Sequence, residues 1–378
     1  MAGRFQVKVR QGLATLLLAA TAISLYGATK DGSGDANKSG NGSRVANVVH
    51  FPTFEPNVLA TPGMSGDVFP AIANHLSSEP PASRAFGLVE VKVSNPSTAE
   101  QPLRARVSVA IAGWSEQEFQ NVDLPPGTNK VLNFAPPLDE RAFHNREIAP
   151  ALAQVRVQDA AGNVLYADSV PLKMRAADDM YWGERFRNAS MIASWVTPHD
   201  AVVEKLLARA KEFMPGRRLP GYESWKDSAG QELSTRAQAR ALYIAVQKQG
   251  LSYVKSSQTF GSSANADVSQ RIRMPRESVS NASANCIDGA VLFASMFENL
   301  GMQTEIIVVP GHSYVGVRVA EMSNRYLLID AALVARVPFD EAVGIAERGI
   351  TQWKSSDITR ISISDARQHG IFPMPLGQ

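Results

Sequence analysis

The feature that most constrains this chain is a change of hydrophobic period near Asp178. Before it, apolar residues recur at every second position. Gly87–Ser94 carries Leu88, Val89, Val91 and Val93 among polar residues, and Leu103–Ala112 carries Leu103, Ala105, Val107, Val109 and Ile111. Val131–Phe134, Ala153–Val157 and Val164–Leu172 follow, separated by Asn95-Pro96, Pro125-Pro126-Gly127 and Ala161-Gly162-Asn163. Period-two runs between such turns read as half-buried antiparallel strands. After Asp178 the spacing becomes helical. Val203, Leu206, Leu207, Ala210 and Met214 form a stripe within Asp200–Met214, capped by Asp200 and stopped by Pro215-Gly216. Ser234–Gln249 repeats the scheme, with Ser234 as cap and Gly250 after its end. Strands first, then helices that close on further strands, predict an α+β fold rather than a doubly wound α/β sheet.

The strand spacing before Asp178 suggests a sandwich of immunoglobulin-like type over residues 85–177, followed by a second domain over 178–378. The chain has one cysteine, Cys286, which excludes both the inter-sheet disulfide of antibody domains and any CxxC zinc site. Hydrophobic residues make up 44% of the chain, which excludes a disordered protein. The net charge of +2 offers no basic face for nucleic acid. His50, His75, His144, His199 and His369 are scattered and lie in no HExxH context, so neither a metal nor a cofactor is expected.

Residues 1–28 read as a secretory signal or signal anchor. Arg4, Lys8 and Arg10 precede the uncharged, mostly small or apolar run Gly12–Ala28, which ends in small residues and is short of the ~20 needed to span a bilayer. Tyr26 sits where a cleavage site prefers a small residue, so an uncleaved anchor is the competing reading. That segment would be the chain's one attachment to a membrane. Residues 29–84 are expected as a flexible Gly/Ser/Asn-rich linker and an irregular, Pro-punctuated lead-in, with one short helix near Val68–Leu76. This reading places the protein in the periplasm or cell envelope.

The stretch Ala282–Leu333 carries the chemistry. A helix capped by Ser283 or Asn285 buries Val291, Leu292, Met296 and Leu300 and ends at Gly301. Cys286 falls in its first turn, where free N–H groups and the positive dipole end favour negative charge on sulfur. Thr304–Val309 reads as a strand, Pro310-Gly311 breaks it, His312–Ala320 and Tyr326–Asp330 are further strands, and Glu321–Asn324 is their turn. A turn centred between Met322 and Ser323 brings His312 within about one bulge of Asp330. A hairpin packed on the helix can therefore hold both beside Cys286. A thiolate attacks acyl carbon, an imidazole moves the proton, and a carboxylate orients the imidazole.

Asn285-Cys286-Ile287-Asp288-Gly289 opening a helix, Pro310-Gly311-His312 opening a strand and Leu328-Ile329-Asp330 closing the next resemble the transglutaminase-like superfamily. The resemblance covers roughly Trp195 to Leu333. It implies a papain-like core, with Cys286 as nucleophile, His312 as base and acid, and Asp330 as orienting carboxylate. The superfamily contains peptidases, amidases, crosslinkers and inactive members, so the resemblance does not name the reaction. A protein or peptide substrate, such as a cell-envelope component, is the expected partner. The alternative is a catalytically silent envelope protein that recognises a partner through its sandwich. Asp288 is expected as a charge favouring the helix dipole and Gly289 as a close-packing position. The Cys286 amide is a natural oxyanion donor, with Gln270, Trp225 or a tyrosine as the second. Gly311–Gly316 spaces its serine as GxSxxG within strands, which argues against a serine nucleophile elbow. Arg271, Arg273 and Arg276 read as a solvated face or as a site for a substrate carboxylate.

Overall fold

The alternating half of the chain builds two sheets. In the computed structural model, which describes residues 56–223, 225–255 and 269–375, these sheets use eight strands. They are β1 (Asn57–Pro62), β2 (Asp67–Val68), β3 (Val89–Ser94), β4 (Leu103–Ile111), β5 (Glu118–Leu124), β6 (Asn129–Phe134), β7 (Ala149–Asp159) and β8 (Val164–Met174). One sheet runs β1-β3-β6 and the other β2-β8-β7-β4-β5, all antiparallel except the short β2–β8 pair. Val89, Val91 and Val93 of β3 and Val107, Val109 and Ile111 of β4 are fully buried in one apolar core. Short helices α1 (Pro70–Ser78) and α2 (Glu140–Phe143) lie between strands. The segments expected as signal and linker, residues 1–43, lie outside the described residues. Among those described, no helix is long and apolar enough to cross a membrane.

Three strands depart from the expectation. The lead-in expected as irregular supplies β1, paired with β3 from Asn57↔Ser94 to Pro62↔Val89, and the two-residue β2, paired with β8. β1 has no fully buried position, so it leaves no alternating signature. β5 was not expected either. It is an edge strand whose Phe119 points into solvent, and only Val122 and Leu124 are buried.

Beyond β9 (Asp179–Tyr181) the chain becomes helical, with α3 (Ala201–Ala210) and α4 (Ser228–Lys248). Asp200 caps α3 as expected, its Oδ1 accepting from Val202 N at 3.1 Å. α4 begins earlier than expected, because Asp227 rather than Ser234 caps it, accepting from Gly230 N at 2.8 Å. β10 (Ser252–Tyr253) and β11 (Ser269–Arg271) follow, then α5 (Pro275–Ser280), β12 (Ser283–Ala284) and α6 (Cys286–Asn299). Every α6 residue from Cys286 to Phe297 is buried, more than the expected stripe, because α3, α5 and a sheet all pack around it. That sheet has the order β15-β14-β13-β16, from β13 (Thr304–Val309), β14 (His312–Arg318), β15 (Tyr326–Ile329) and β16 (Thr359–Ser362). α7 (Phe339–Ile350) packs toward its other face, and α8 (Ile363–Gln368) ends the described fold. With helices on both faces, all six residues of β13 are buried, as its continuous apolar run suggests. The whole is an α+β fold, and the Arg146–Glu277 ion pair and Arg271 Nη2 donating to the Arg146 carbonyl link its two halves.

α6 approaches the chain just after β15 very closely. A Cβ on Gly289 would lie 2.9 Å from Ala331 Cβ, nearer than packed carbons tolerate. The glycine expected to permit close packing therefore sets how near α6 comes to Asp330. Gly289→Val is expected to cost about 1–3 kcal/mol of folding stability through overpacking, read from the urea midpoint; an unchanged midpoint would show that the contact carries no constraint.

Candidate active site

The head of α6 is fixed by a reciprocal cap. Asn285 Oδ1 accepts from Asp288 N at 2.9 Å, and Asp288 Oδ2 accepts from Asn285 N at 3.1 Å. Asp288 is fully buried and does more than favour the dipole. Its Oδ1 accepts from Arg273 N at 2.9 Å and its Oδ2 from Arg273 Nη1 at 3.0 Å. Burial pushes the Asp288 carboxyl up, and the hydrogen bonds from Arg273 and Asn285 pull against that shift. Cys286 follows the cap as the first helical residue and is 7% exposed.

The hairpin delivers the other two groups. β14 and β15 pair as Val315↔Ile329 through Arg318↔Tyr326, a hairpin centred on Met322, half a residue from the expected centre. Extending that register sets Asp330 opposite Tyr314, with His312 diagonal to it on the same face, within reach of a side chain. His312 Nε2 lies 3.0 Å from Asp330 Oδ2. The other Asp330 oxygen accepts from Ala332 N at 3.1 Å, so both oxygens are committed and the carboxylate is held in one orientation. Cys286 is the other group that bears on the His312 imidazole. The three residues singled out in the sequence thus converge in the order sulfur, imidazole, carboxylate. Burial of His312 works against its charge, but hydrogen bonds and negative charge from Asp330 and Cys286 outweigh it and lift the imidazole to about 10. At neutral pH the ring is an imidazolium beside the sulfur, able to stabilise a thiolate and to protonate a leaving group.

Two tyrosines flank this line. Tyr314 stands edge-on to the His312 ring, with centroids 4.7 Å apart. Tyr253 lies on β10, which runs parallel to β12 with Tyr253 opposite Ala284, two residues before Cys286. Burial raises the Tyr253 hydroxyl first, and negative charge at Cys286, Asp330 and Asp288 adds to the shift. Tyr253 and His312 are the partly open members of the cluster and mark its mouth. A two-residue strand has no periodicity, so sequence alone could not single out this tyrosine. Gln270 is buried on β11 with Oε1 unpartnered. Trp225 is not at the site. Its ring covers Gly230 at the start of α4, and its carbonyl accepts from Gln231, whose Oε1 binds Glu321 N at the hairpin turn. That turn is the end of β14 away from His312. The three arginines are not a free solvated face: Arg271 pairs with Asp178 at 3.0 Å, Arg273 with Asp288 and Arg276 with Asp200 at 2.8 Å. Among the described residues, no cluster of His, Cys, Asp and Glu is arranged to hold a metal ion.

The raised imidazole has a consequence for stability. Its folded value of about 10 exceeds the unfolded 6.5, so its contribution is complete below the unfolded value and is lost as pH rises through the folded one. The stability gap between the native chain and His312→Gln should therefore be widest near pH 6 and narrow toward pH 10 in urea titrations. A gap independent of pH would mean that His312 is not held as a cation.

No protein-family model matches this chain, and no curated protein matches it in sequence; the site has to be read from its own geometry.

Proposed function

We propose that this protein is an exported cysteine-nucleophile enzyme that hydrolyses or transfers an acyl group at an amide bond of a protein or peptide. On this reading the β-rich half is an immunoglobulin-like sandwich and the second half a transglutaminase-like domain, with residues 1–28 directing export to the periplasm or envelope. The observation that carries the reading is the hydrogen bond of His312 to Asp330, with the same imidazole coupled to Cys286 at the capped head of a buried helix.

The steps follow from that order. The Cys286 thiolate attacks the carbonyl carbon, and the C=O electron pair moves onto oxygen, facing the amide N–H groups of the first turn of α6. The His312 imidazolium gives its proton to the departing nitrogen as the C–N bond breaks, leaving a thioester and a neutral imidazole. Water, or an acceptor amine, then attacks the thioester while His312 takes its proton. The thiolate leaves, and acid or new amide is released. Asp330 keeps Nε2 as the N–H and stabilises the ring whenever it is charged. Asp330, half-way between strand and 3-10 turn, is well placed for this because its second oxygen is held by the backbone.

Covalent catalysis predicts a burst. With 4-nitrophenyl acetate the protein should release one equivalent of nitrophenolate quickly and then turn over slowly. Cys286→Ala should fold but show no burst, and Asp330→Asn should slow the burst by a factor of about 10² or more. Retained turnover in Cys286→Ala would refute the assignment and favour a silent envelope protein that binds through its sandwich.

A further inference from the structure

The hydrogen bond between His312 and Asp330 lies at the rim of a small apolar cluster. β13 and β14 pair as Ile307↔Tyr314 and Val309↔His312, so these four residues share one face of the sheet. On that face Ile307, Val309, Tyr314 and Leu328 pack with Ala346 of α7 in a buried group separate from the main core. Extending the β14–β15 register sets Asp330 opposite Tyr314 on the same face. Tyr314 is therefore the member of the apolar group that meets the hydrogen-bonded pair.

The two partners differ in exposure. The His312 side chain is 27% exposed and that of Asp330 8%. Tyr314 is 5% exposed, and its ring stands at 80° to the imidazole with centroids 4.7 Å apart, a favourable perpendicular arrangement. Burial raises the Tyr314 hydroxyl first, and negative charge at Asp330 and Cys286 adds to the shift. Among the described residues that hydroxyl has no hydrogen-bond partner. α7 leaves space for it at Gly349, where a Cβ would press on it. A charge-assisted hydrogen bond weakens when water competes for its acceptor and screens its charge. One hydrogen bond also leaves the imidazole free to change rotamer unless something packs against it.

We propose that Tyr314 is a positioning residue: its ring shuts water away from the His312–Asp330 hydrogen bond and stops the imidazole from swinging out of line with Cys286. Its effect on rate rests on the enzymatic reading above; the shielding does not. The hydroxyl takes no part, so phenylalanine serves in its place and an aliphatic side chain does not.

Two measurements test this. The first is exchange of the His312 ring N–H with water, followed by NMR on protein with isotope-labelled histidine, with His312→Gln assigning the signal. The native chain and Tyr314→Phe should show a slowly exchanging downfield proton, and Tyr314→Leu should lose it to solvent exchange. The second is the 4-nitrophenyl acetate burst. Tyr314→Leu should slow it about tenfold, as loosening of a positioned group implies, while the half-saturating ester concentration stays within about twofold because the buried ring does not touch the ester. Tyr314→Phe should match the native chain in both. Gly349→Ala reaches the same ring from α7. It should slow the burst by a comparable factor, and adding Tyr314→Phe, which removes the obstructing hydroxyl, should recover most of the rate. That pair decides the matter if Tyr314→Leu does not fold. A folded Tyr314→Leu that keeps the slow proton or the native burst rate would overturn the proposal, and a silent Cys286→Ala would leave the enzymatic reading standing beside that result. A native chain without a burst would refute the enzymatic reading, and proton exchange would still decide whether the ring shields the pair.

Discussion

The buried carboxylate of Asp288 is the interaction on which the rest of the structure turns. A fully buried charge is tolerated only when its lone pairs are met. Here they are met by Asn285 N, by Arg273 N and by the Arg273 guanidinium. Those bonds serve three levels at once. They close the cap that starts α6 at Cys286. They tie α6 to the segment after β11, and β11 pairs with β9 at the start of the second half. They also place a negative group near the first turn without spending the Asp330 carboxylate, which the imidazole needs.

Around that anchor, the site is assembled from backbone constraints more than from side-chain packing. Gly289 lets α6 close on Ala331, the residue after Asp330. The β14–β15 register puts His312 and Asp330 on one face, and the 3-10 turn at Ala331–Leu333 takes the second Asp330 oxygen. Tyr314 stacks edge-on against His312 and its hydroxyl leaves no room for a Cβ on Gly349 of α7. The imidazole is thus gripped by strand, helix and carboxylate, and the charge it carries follows from that grip rather than from openness to water.

Much of this was legible in the sequence because the carrying elements are long and strongly patterned. β7 and the first half of β4 alternate, and α6 and β13 are apolar runs bounded by Asn285, Gly301 and Pro310-Gly311. The hairpin arithmetic put the turn centre within half a residue of Met322 because a short turn leaves little freedom, but it set His312 nearly opposite Asp330 where the register makes the two diagonal. What stayed hidden lacks local pattern. β1 and β5 bury too little to alternate. β10 is two residues long, so Tyr253 could not be told from other tyrosines, and Trp225 looked equally eligible until α4 was seen to start at Ser228. The ion pairs of Arg271, Arg273 and Arg276 join residues far apart in the chain, and no local rule foresees them.

The central proposal is that Cys286, set beside the His312 imidazole, is the nucleophile. The most direct measurement is the alkylation rate of this single thiol by iodoacetamide at pH 6, taken on the native protein and on the same protein unfolded in urea. A nucleophile held beside that imidazole predicts that the native thiol reacts at least about tenfold faster than the unfolded one. A native rate equal to or below the unfolded rate would contradict the account.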